Sequence, residues 1–491
     1  SSIKLKDTMK KFVFLTALFL STHILFSTGS QAQWEPDVRL TNDPDVSWTS
    51  LYNARSIAAS GNIVHVVWYD TRDGNREVYY KRSVDGGVNW GTDTRMTNAN
   101  GDSWYPSISI SGLFVHVVWM DTRDGNTEVY YKHSTDEGVS WEADVRLTNN
   151  TSPSAYPSIS VSGLEVHVVW RDYPGNFEIF YKRSIDGGSN WGSDTRLTNN
   201  SAASYEASIA VSGQVVHVVW YDERHGIAEE IYYKRSVDGG VSWGDDIRLT
   251  NNAGDSWAPS VSVSDSTVHI VWYDHRDANW EIYYKRSTDG GISWESDTRL
   301  TNDAAQKSNP CISVSDQVLN VVWENNRDGN YEIYYKGSTD NGINWGADYR
   351  LTYAALFSGR PSVAVSGSSV HVVWYDGREG NDEIYYKRNP TGITGLENIE
   401  SEIPNEFILE QNYPNPFNPS TSIQYQVFSN TKVSLIIYDV LGNKVATLVN
   451  EEKPAGNYEV NWNASNLSSG VYYYKLQAGP FIETKKMILL R

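Results

Sequence analysis

Residues 64–90 read VHVVWYDTRDGNREVYYKRSVDGGVNW, and this stretch decides the fold prediction. It joins an apolar run, a polar loop containing glycine, a second alternating run and a tight turn. The apolar run recurs at a spacing of about 51 residues, a period that indicates stacked or radial repeats. Its seven copies begin at Val64, Val115, Val166, Val216, Val268, Leu319 and Val370.

Each repeat contains four strand-like segments. The second repeat has PSISISG at 106–112, VHVVW at 115–119, EVYYK at 128–132 and WEADVRLTN at 141–149. Clusters of Gly, Asn and Asp separate the segments, as hairpin turns require. The second segment is apolar on both faces, which is expected of a strand between neighbouring sheets. Four antiparallel strands per repeat, without helical signals, predict a β-propeller blade.

The number of copies predicts how the ring closes. The W-x-x-D-x-R-L-T segment also occurs seven times, but its first copy, at 34–42, precedes every other strand. The last repeat ends at Arg388 without such a segment. We therefore expect residues 34–42 to form the outer strand of the last blade, which removes two exposed edges. The prediction is an all-β, seven-bladed propeller of four-stranded blades over residues 33–388.

Composition narrows the class of partner. The chain has 41 Lys and Arg against 60 Asp and Glu, a net charge of -19, which disfavours a nucleic-acid partner. Cys311 is the single cysteine, so no intramolecular disulfide is possible. It occupies a position where other repeats carry Ser, as in Ser107, and we interpret it as a substitution within a strand. We expect a monomer without cofactor.

Histidines recur inside the second strand of each repeat except one, where Asn320 replaces them. We expect them to be buried core residues, and the interruption disfavours a ring of metal ligands. No metal site is predicted. These histidines are His65, His116, His167, His217, His269 and His371.

The amino terminus is predicted to be a targeting segment. Met9, Lys10 and Lys11 begin a basic region, 12–26 is mostly apolar, and Ser30-Gln31-Ala32 offers a small-residue cleavage site. This pattern is typical of a secretory signal peptide, here 1–32 with upstream residues. No other stretch approaches the length of a membrane span, so we expect no membrane-spanning segment.

The tight turn SVDGGVNW has the form S-x-D-x-G-x-x-W and occurs six times. It resembles the Asp box, the bacterial neuraminidase repeat of sialidases and several other propeller families. Ser and Asp can accept hydrogen bonds from turn amides, and the Trp can pack between strands. In the resembling sialidases these turns lie away from the active site, so we expect a structural role. The aspartates are Asp85, Asp136, Asp186, Asp238, Asp289 and Asp340.

The carboxyl-terminal part changes character. Residues 389–404 are predicted to be a linker, and 405–491 alternate as the strands of a small immunoglobulin-like β-sandwich do. The segments YPNPFNP at 413–419, GVYY at 470–473 and the ending 485–491 resemble the type A sorting domain of type IX secretion. This resemblance implies a Gram-negative Bacteroidetes-type host, the type IX machinery as partner, and a secreted or outer-surface location. A permanent accessory module is the alternative.

Loops after the second strands carry arginines that should share one rim. Sialidases hold a carboxylate with an arginine cluster, which suggests a ligand-binding role. Alternatively, each arginine forms an ion pair within its own loop, as Asp70/Arg72 and Asp376/Arg378 suggest. The arginines are Arg72, Arg123, Arg224, Arg276, Arg327 and Arg378.

The position just before the first strand breaks the repeat and should line the central channel. The resemblance to sialidases implies an arginine triad, a Tyr nucleophile paired with Glu, and an acid/base Asp. Tyr205, Glu206 and Arg360 are therefore weak catalytic candidates, and no complete set is present. The variable residues are Ala54, Tyr105, Tyr156, Glu206, Ala258, Asn309 and Arg360.

Aromatic residues are frequent in the loops between blades. Their faces could stack on sugar rings or bind a protein partner, or they could simply cap the blades. Near-uniform repeats favour binding of glycans or cell-surface partners. A sialidase-like glycoside hydrolase (exo-alpha-sialidase) and a structural envelope component are the alternatives. The aromatics are Trp48, Tyr52, Trp104, Tyr105, Tyr156, Tyr205, Trp257 and Phe357.

Overall fold

A computed structural model describes residues 34–51, 54–226, 228–392, 407–409, 411–412, 415–427, 431–453, 456–479 and 481–490. The predicted signal peptide, Tyr52 and the predicted linker beyond residue 392 lie outside the described residues. Within them the secondary structure is β-strand and turn, and none of it is a helix with the length and hydropathy to cross a membrane.

Seven four-position sheets follow one another along the chain, which confirms the predicted seven-bladed propeller. The innermost strands are Ser47–Trp48 with Ile57–Ser60, Ser103–Ser111, Ala155–Ser162, Ser204–Ser212, Ser256–Ser264, Lys307–Ser315 and Ser358–Ser366. The second strands are Ile63–Asp70, Phe114–Asp121, Glu165–Asp172, Val215–Asp222, Thr267–Asp274, Val318–Asn325 and Ser369–Asp376.

The two outer positions complete each blade. The third strands are Glu77–Ser83, Glu128–Ser134, Glu178–Ser184, Glu230–Ser236, Glu281–Ser287, Glu332–Ser338 and Glu383–Asn389. The outermost strands are Thr94–Arg95, Val145–Arg146, Thr195–Arg196, Ile247–Arg248, Thr298–Arg299, Tyr349–Arg350 and, in blade 7, Val38–Arg39.

The amino-terminal segment closes the ring, as predicted. Val38 pairs with Tyr386 and Arg39 with Tyr385, antiparallel, at the outer edge of blade 7. Arg39 also forms an ion pair of 2.6 Å with Glu383. The last blade therefore combines strands from both ends of the propeller and has the same four strand positions as the other blades.

The outermost strands are shorter than the sequence pattern suggested, because a side chain replaces the backbone ladder after two residues. In blade 2, Thr148 Oγ1 accepts a hydrogen bond of 2.9 Å from the backbone N–H of Val129. Thr148 also donates its hydroxyl proton to the buried carboxylate of Glu128. Short outer strands of this kind leave few unpaired backbone groups on the outside of the ring.

The second strands form the core between blades. Their tryptophans are fully buried, because each blade is covered on both faces by its neighbours. The histidine of each strand lies beside a tyrosine hydroxyl of the third strand, at 2.7 Å for His65 Nδ1 and Tyr80. In blade 6 the Tyr335 hydroxyl instead donates to Asn320 Oδ1 at 2.9 Å.

Serine hydroxyls cover the free edge of the innermost strands. Ser107 Oγ accepts from the N–H of Arg55 in the preceding blade, and Ser362 Oγ accepts from Ser56 in the following one. These bonds satisfy backbone N–H groups that would otherwise face the channel unpaired. Cys311 occupies one such position, 8% exposed, with its sulfur 4.0 Å from Ser362 Oγ.

The S-x-D-x-G-x-x-W turns fasten each blade to the one before it. Tyr80 of blade 1 packs edge-on against Trp141 of blade 2, with ring centroids 4.9 Å apart. A Cβ atom added at Gly138 in the same turn would overlap the Tyr80 hydroxyl. At the closure Trp34 takes the same place, with its ring 5.0 Å from that of Tyr335.

The carboxyl-terminal part is a separate β-sandwich with its own core. One sheet contains Ile408–Leu409, Ser420–Val427 and Gly456–Asn463, and the other contains Thr431–Tyr438, Lys444–Lys453, Gly470–Ala478 and Phe481–Leu489. Alternate residues of its strands, including Leu435, Ile437 and Leu476, are fully buried. This arrangement confirms the predicted sandwich.

Candidate functional site

A ring of variable residues surrounds one end of the central channel. Six of them lie within a register shift of the innermost strand and have the left-handed backbone conformation, with φ from 47° to 54°. Only glycine adopts this conformation without a cost in free energy. Its presence at residues other than glycine suggests a functional site. We call these seven positions the mouth ring: Ala54, Tyr105, Tyr156, Glu206, Ala258, Asn309 and Arg360.

A second variable position lies on the same face, between the buried Trp and the following Asp or Asn of each second strand. Sequence analysis did not single it out, although it also breaks the repeat. The variation at this position can be seen when the seven copies of the second strand are compared. The residues are Tyr69, Met120, Arg171, Tyr221, Tyr273, Glu324 and Tyr375.

The two sets meet in a continuous chain of contacts across blades 7, 1, 2 and 3. Arg360 Nη1 donates to the Tyr69 hydroxyl at 2.8 Å. The ring of Tyr69 lies edge-on to Tyr105 at 5.4 Å, and Tyr105 stacks on Tyr156 at 5.5 Å. Burial raises the pKa of Tyr105 to about 12, so its hydroxyl is protonated at neutral pH.

Arg171 continues this chain into blades 3 and 4. Its guanidinium carbon lies 4.6 Å from the ring centroid of Tyr156, 4.2 Å from Phe177 and 5.5 Å from Tyr205. A guanidinium between aromatic faces is a cation–π arrangement, and Arg is well suited to it. Arg171 takes part in no ion pair within the described residues.

The aromatic chain ends in blades 4 and 5. Tyr205 stacks on Tyr221 at 5.1 Å, and Trp257 lies 6.5 Å from Tyr221. Trp257 also lies 4.7 Å from Trp280, with both rings partly exposed. We call this run of rings, from Tyr69 to Trp280, the aromatic arc.

The other predicted aromatics flank the arc. Trp48 donates its indole N–H to Asp382 at 2.7 Å and lies 5.4 Å from Tyr69. Trp104 lies 6.5 Å from Tyr105. On the far side of Arg360, Phe357 stacks on Tyr375 at 5.5 Å. The sequence-predicted aromatics that the structure describes therefore lie on one face.

A pocket of about 270 Å³ opens on this face in blade 4. Glu229 lies in the wall of this pocket, and its backbone N–H donates to Asp255 Oδ1 at 3.3 Å. Burial raises the pKa of Glu229, and the Asp255 carboxyl raises it further. The pocket is lined by Ala202, Glu223, Gly226, Ala228 and Glu229.

The three catalytic candidates do not form one cluster. Tyr205 and Glu206 lie in blade 4, whereas Arg360 lies in blade 7, three blades away around the ring. The Tyr205 hydroxyl donates to Glu223 Oε1 at 3.2 Å, and burial raises its pKa. Glu206 is 6% exposed. Their catalytic role remains a prediction.

The loop arginines are engaged within the protein. Arg72 Nη2 lies 2.6 Å from Asp70 and Arg72 Nη1 lies 2.8 Å from Asp93. Arg378 pairs in the same way with Asp376 and with Asp37 of the closing segment. Equivalent contacts hold Arg123, Arg224 and Arg276, and Arg327 pairs with Asp348 and Asp303. The in-loop ion pair expected from the sequence is present, and a ligand role for these arginines stays a prediction.

The S-x-D-x-G-x-x-W turns lie at the opposite end of the blades. In the first turn, Asp85 Oδ1 accepts from the Ser83 hydroxyl at 2.7 Å and from the Asn89 N–H at 2.8 Å. These hydrogen bonds, first of all those from Asn89, lower the pKa of Asp85 to about 2. The six aspartates therefore brace their turns from within. Among the described residues, no group of three His, Cys, Asp or Glu side chains is placed to hold a metal ion.

Comparison with solved structures shows the propeller fold. The chain is similar to a family PL25 ulvan lyase bound to -[GlcA(1-4)Rha3S]-, at 12% identity and a TM-score of 0.51, over 72% of this chain and 97% of that one. It is also similar to the polysaccharide lyase Uly1, at 9% identity and 0.53, over 73% and 99%. Trypanosoma rangeli sialidase matches at 11% identity and 0.42, over 78% and 83%.

Comparison with protein families identifies the carboxyl-terminal unit. Residues 411–490 match the secretion system C-terminal sorting domain, in agreement with the resemblance seen in the sequence. No curated protein sequence matches the chain. The sorting domain indicates export by the type IX secretion machinery of Bacteroidetes, and the protein is therefore extracellular or attached to the cell surface.

Proposed function

We propose that the propeller binds glycans at the end of the channel formed by the mouth ring. The observation that carries this proposal is the aromatic arc, in which the partly exposed rings of Tyr105 and Tyr156 stack beside the channel and Tyr69 packs against them from the core. Flat aromatic faces bind the apolar faces of sugar rings, and neighbouring polar groups fix orientation. Export to the cell exterior places the protein where polysaccharides are met.

The charge around the arc favours acidic sugars. Arg171 and Arg360 contact aromatic rings and hydroxyl groups, and neither forms an ion pair within the described residues. The arginines of the loops, in contrast, are each neutralised by carboxylates. Two guanidinium groups that form no ion pair within the described residues are suited to bind carboxylate or sulfate groups on a sugar.

The test is a glycan array exposed to the purified mature chain, scored both for retained protein and for lost sugars. We expect retention on acidic glycans without loss of sugar. Tyr156→Ala should abolish retention, whereas Val139→Ala, on the opposite face, should leave it unchanged. Equal retention by the wild type and Tyr156→Ala would contradict the proposal.

Glycoside hydrolysis is the second candidate, and one observation favours it. The carboxyl groups of Glu229 and Asp255 are neighbours beside Trp257, and the pKa of Glu229 is raised. A carboxyl group whose pKa is raised can serve as the general acid in hydrolysis of a glycosidic bond. Turnover that is lost in Asp255→Asn, with binding retained, would favour this candidate over binding alone.

A further inference from the structure

The side chain of Arg55 reaches across the channel. Its Nη2 donates to the carbonyl oxygen of Val261 at 2.9 Å. Arg55 belongs to the innermost segment of blade 1 and Val261 to blade 5, and these blades are not neighbours. The guanidinium therefore lies in the channel itself, one residue deeper than the mouth ring, and forms the floor beneath it.

The charge of Arg55 is not neutralised by the protein. A guanidinium has five N–H donors, and its hydrogen bond to Val261 uses one of them. No carboxylate of the described residues lies within ion-pair distance of it. Arg remains protonated in proteins, and an isolated charge away from bulk water is costly unless it is paired. Burial accordingly lowers the pKa of Arg55.

The side chains that the structure places beside Arg55 carry no charge. Ser107 Oγ accepts the backbone N–H of Arg55 at 3.3 Å, and Ser362 Oγ accepts the backbone N–H of Ser56 at 3.1 Å. The titratable group that acts on Arg55 most directly is the thiol of Cys311, which is neutral at ordinary pH. A guanidinium among uncharged groups, with no carboxylate partner, is suited to bind an anion.

The fold does not require an arginine at this position. Five other blades carry proline there, and blade 4 carries Ala207. We propose that Arg55 is the core of an anion-binding site in the channel, which holds one compact anionic group beneath the mouth ring. A free inorganic anion such as a halide can supply this group. The carboxylate or sulfate of a sugar can also supply it, and this second source rests on the proposed function.

The first arm of the test uses bromide alone. The melting temperature of the mature full-length chain is measured in increasing sodium bromide, for the wild type and for Arg55→Met and Arg55→Lys. An anion that binds only the folded state raises the wild-type Tm by about 2 °C or more, an effect retained in part by Arg55→Lys. Arg55→Met shows only the general salt effect. Anomalous diffraction should place a bromide ion beside Arg55.

The second arm compares an acidic with a neutral oligosaccharide, such as oligogalacturonate and a neutral galactan fragment. A sugar-borne anion predicts that Arg55→Met weakens the acidic ligand at least tenfold and leaves the neutral one unchanged. Absence of any glycan binding, with the bromide effect intact, would overturn the proposed function alone. Identical bromide responses in the wild type and Arg55→Met, with unchanged affinity for the acidic sugar, would overturn the anion site.

Discussion

The two faces of the propeller use the same seven repeats but differ in how far the repeats vary. On the face of the S-x-D-x-G-x-x-W turns, the same Ser, Asp, Gly and Trp recur in six blades and make the same contacts. On the face of the mouth ring, seven equivalent positions carry Ala, Tyr, Tyr, Glu, Ala, Asn and Arg. Closure of the ring requires the same contact between each pair of neighbouring blades, whereas recognition of a ligand requires different side chains at equivalent positions.

The largest effect should come from the uniform face. Gly188→Ala would place a Cβ atom onto the Tyr131 hydroxyl of the preceding blade, at φ +89°. We expect a loss of about 4 kcal/mol in the free energy of unfolding, from overlap and backbone strain together. Chemical denaturation measures this loss.

Gly125→Ala is the matched control on the other face. Its φ is +98°, but no atom lies within 4 Å of the added Cβ. The backbone strain alone should cost about 1 kcal/mol. Equal losses for the two variants would contradict the view that the turn glycines are needed for contact between blades.

Acid should lower the stability of the propeller through its buried histidines. Burial lowers the pKa of His65 to about 4 and of His116 to about 3, from the ordinary 6.5. The folded state keeps them neutral while the unfolded state binds protons below pH 6.5. Stability is therefore complete above pH 6.5 and falls as the pH drops toward 4, by about 3 kcal/mol per histidine.

Blade 6 supplies the variant for this experiment, because Asn320 accepts the tyrosine hydroxyl where other blades carry His. His65→Asn should shift the midpoint of acid unfolding to lower pH, as followed by circular dichroism. His225→Asn, at an exposed position, is the control and should leave the midpoint unchanged. An unchanged midpoint in His65→Asn would show that other groups control acid unfolding.

A smaller effect separates strain from recognition on the variable face. Tyr105 has φ 53°, which glycine adopts without strain and alanine does not. The free energy of unfolding should therefore be about 1 kcal/mol greater for Tyr105→Gly than for Tyr105→Ala. Both variants should lose affinity for the glycan by about tenfold, or ~1.4 kcal/mol, because the ring is absent from each. Calorimetric titration beside denaturation distinguishes the two effects. Retained affinity in either variant would exclude Tyr105 from the site.

The smallest effect is expected at the loop arginines. Arg123 is already bound to Asp121 and Asp144, so its removal should change glycan affinity by less than about twofold. Arg360→Gln is the comparison. This arginine forms no ion pair with any described residue, so its removal should lower glycan affinity about tenfold. A larger loss of glycan affinity on removal of Arg123 than of Arg360 would indicate that the binding site lies in the loops and not at the mouth ring.

The sequence was sufficient for the parts of the fold that repeat. The period, the apolar second strand and the early copy at 34–42 predicted seven blades and their closure, because each feature is a local pattern repeated at a fixed spacing. The tail was predictable from alternation and from its resemblance to a sorting domain. The length of the outermost strands was overestimated, because the Thr148 hydroxyl accepts the hydrogen bond that a backbone carbonyl would accept in a longer strand.

The site was predictable in position but not in geometry. Sequence comparison of the repeats located the mouth ring, but the left-handed backbone at Tyr156 follows from a shift in strand pairing, not from the residue. The reach of Arg55 to Val261 joins positions 206 residues apart, and depends on the diameter of a closed ring. Contacts of this kind exist only after the blades assemble.

The closing segment also sets the order in which this protein can fold. Arg39 and Glu383 are 344 residues apart in the chain. Bringing the ends of so long a loop together costs about 5 kcal/mol in entropy, which a pair of two-residue strands repays only when the other six blades are already in place. We therefore expect closure to be the last step of propeller folding. Until residue 389 is available, residues 34–42 and the outer edge of the last blade lack their pairing partners and could join other chains.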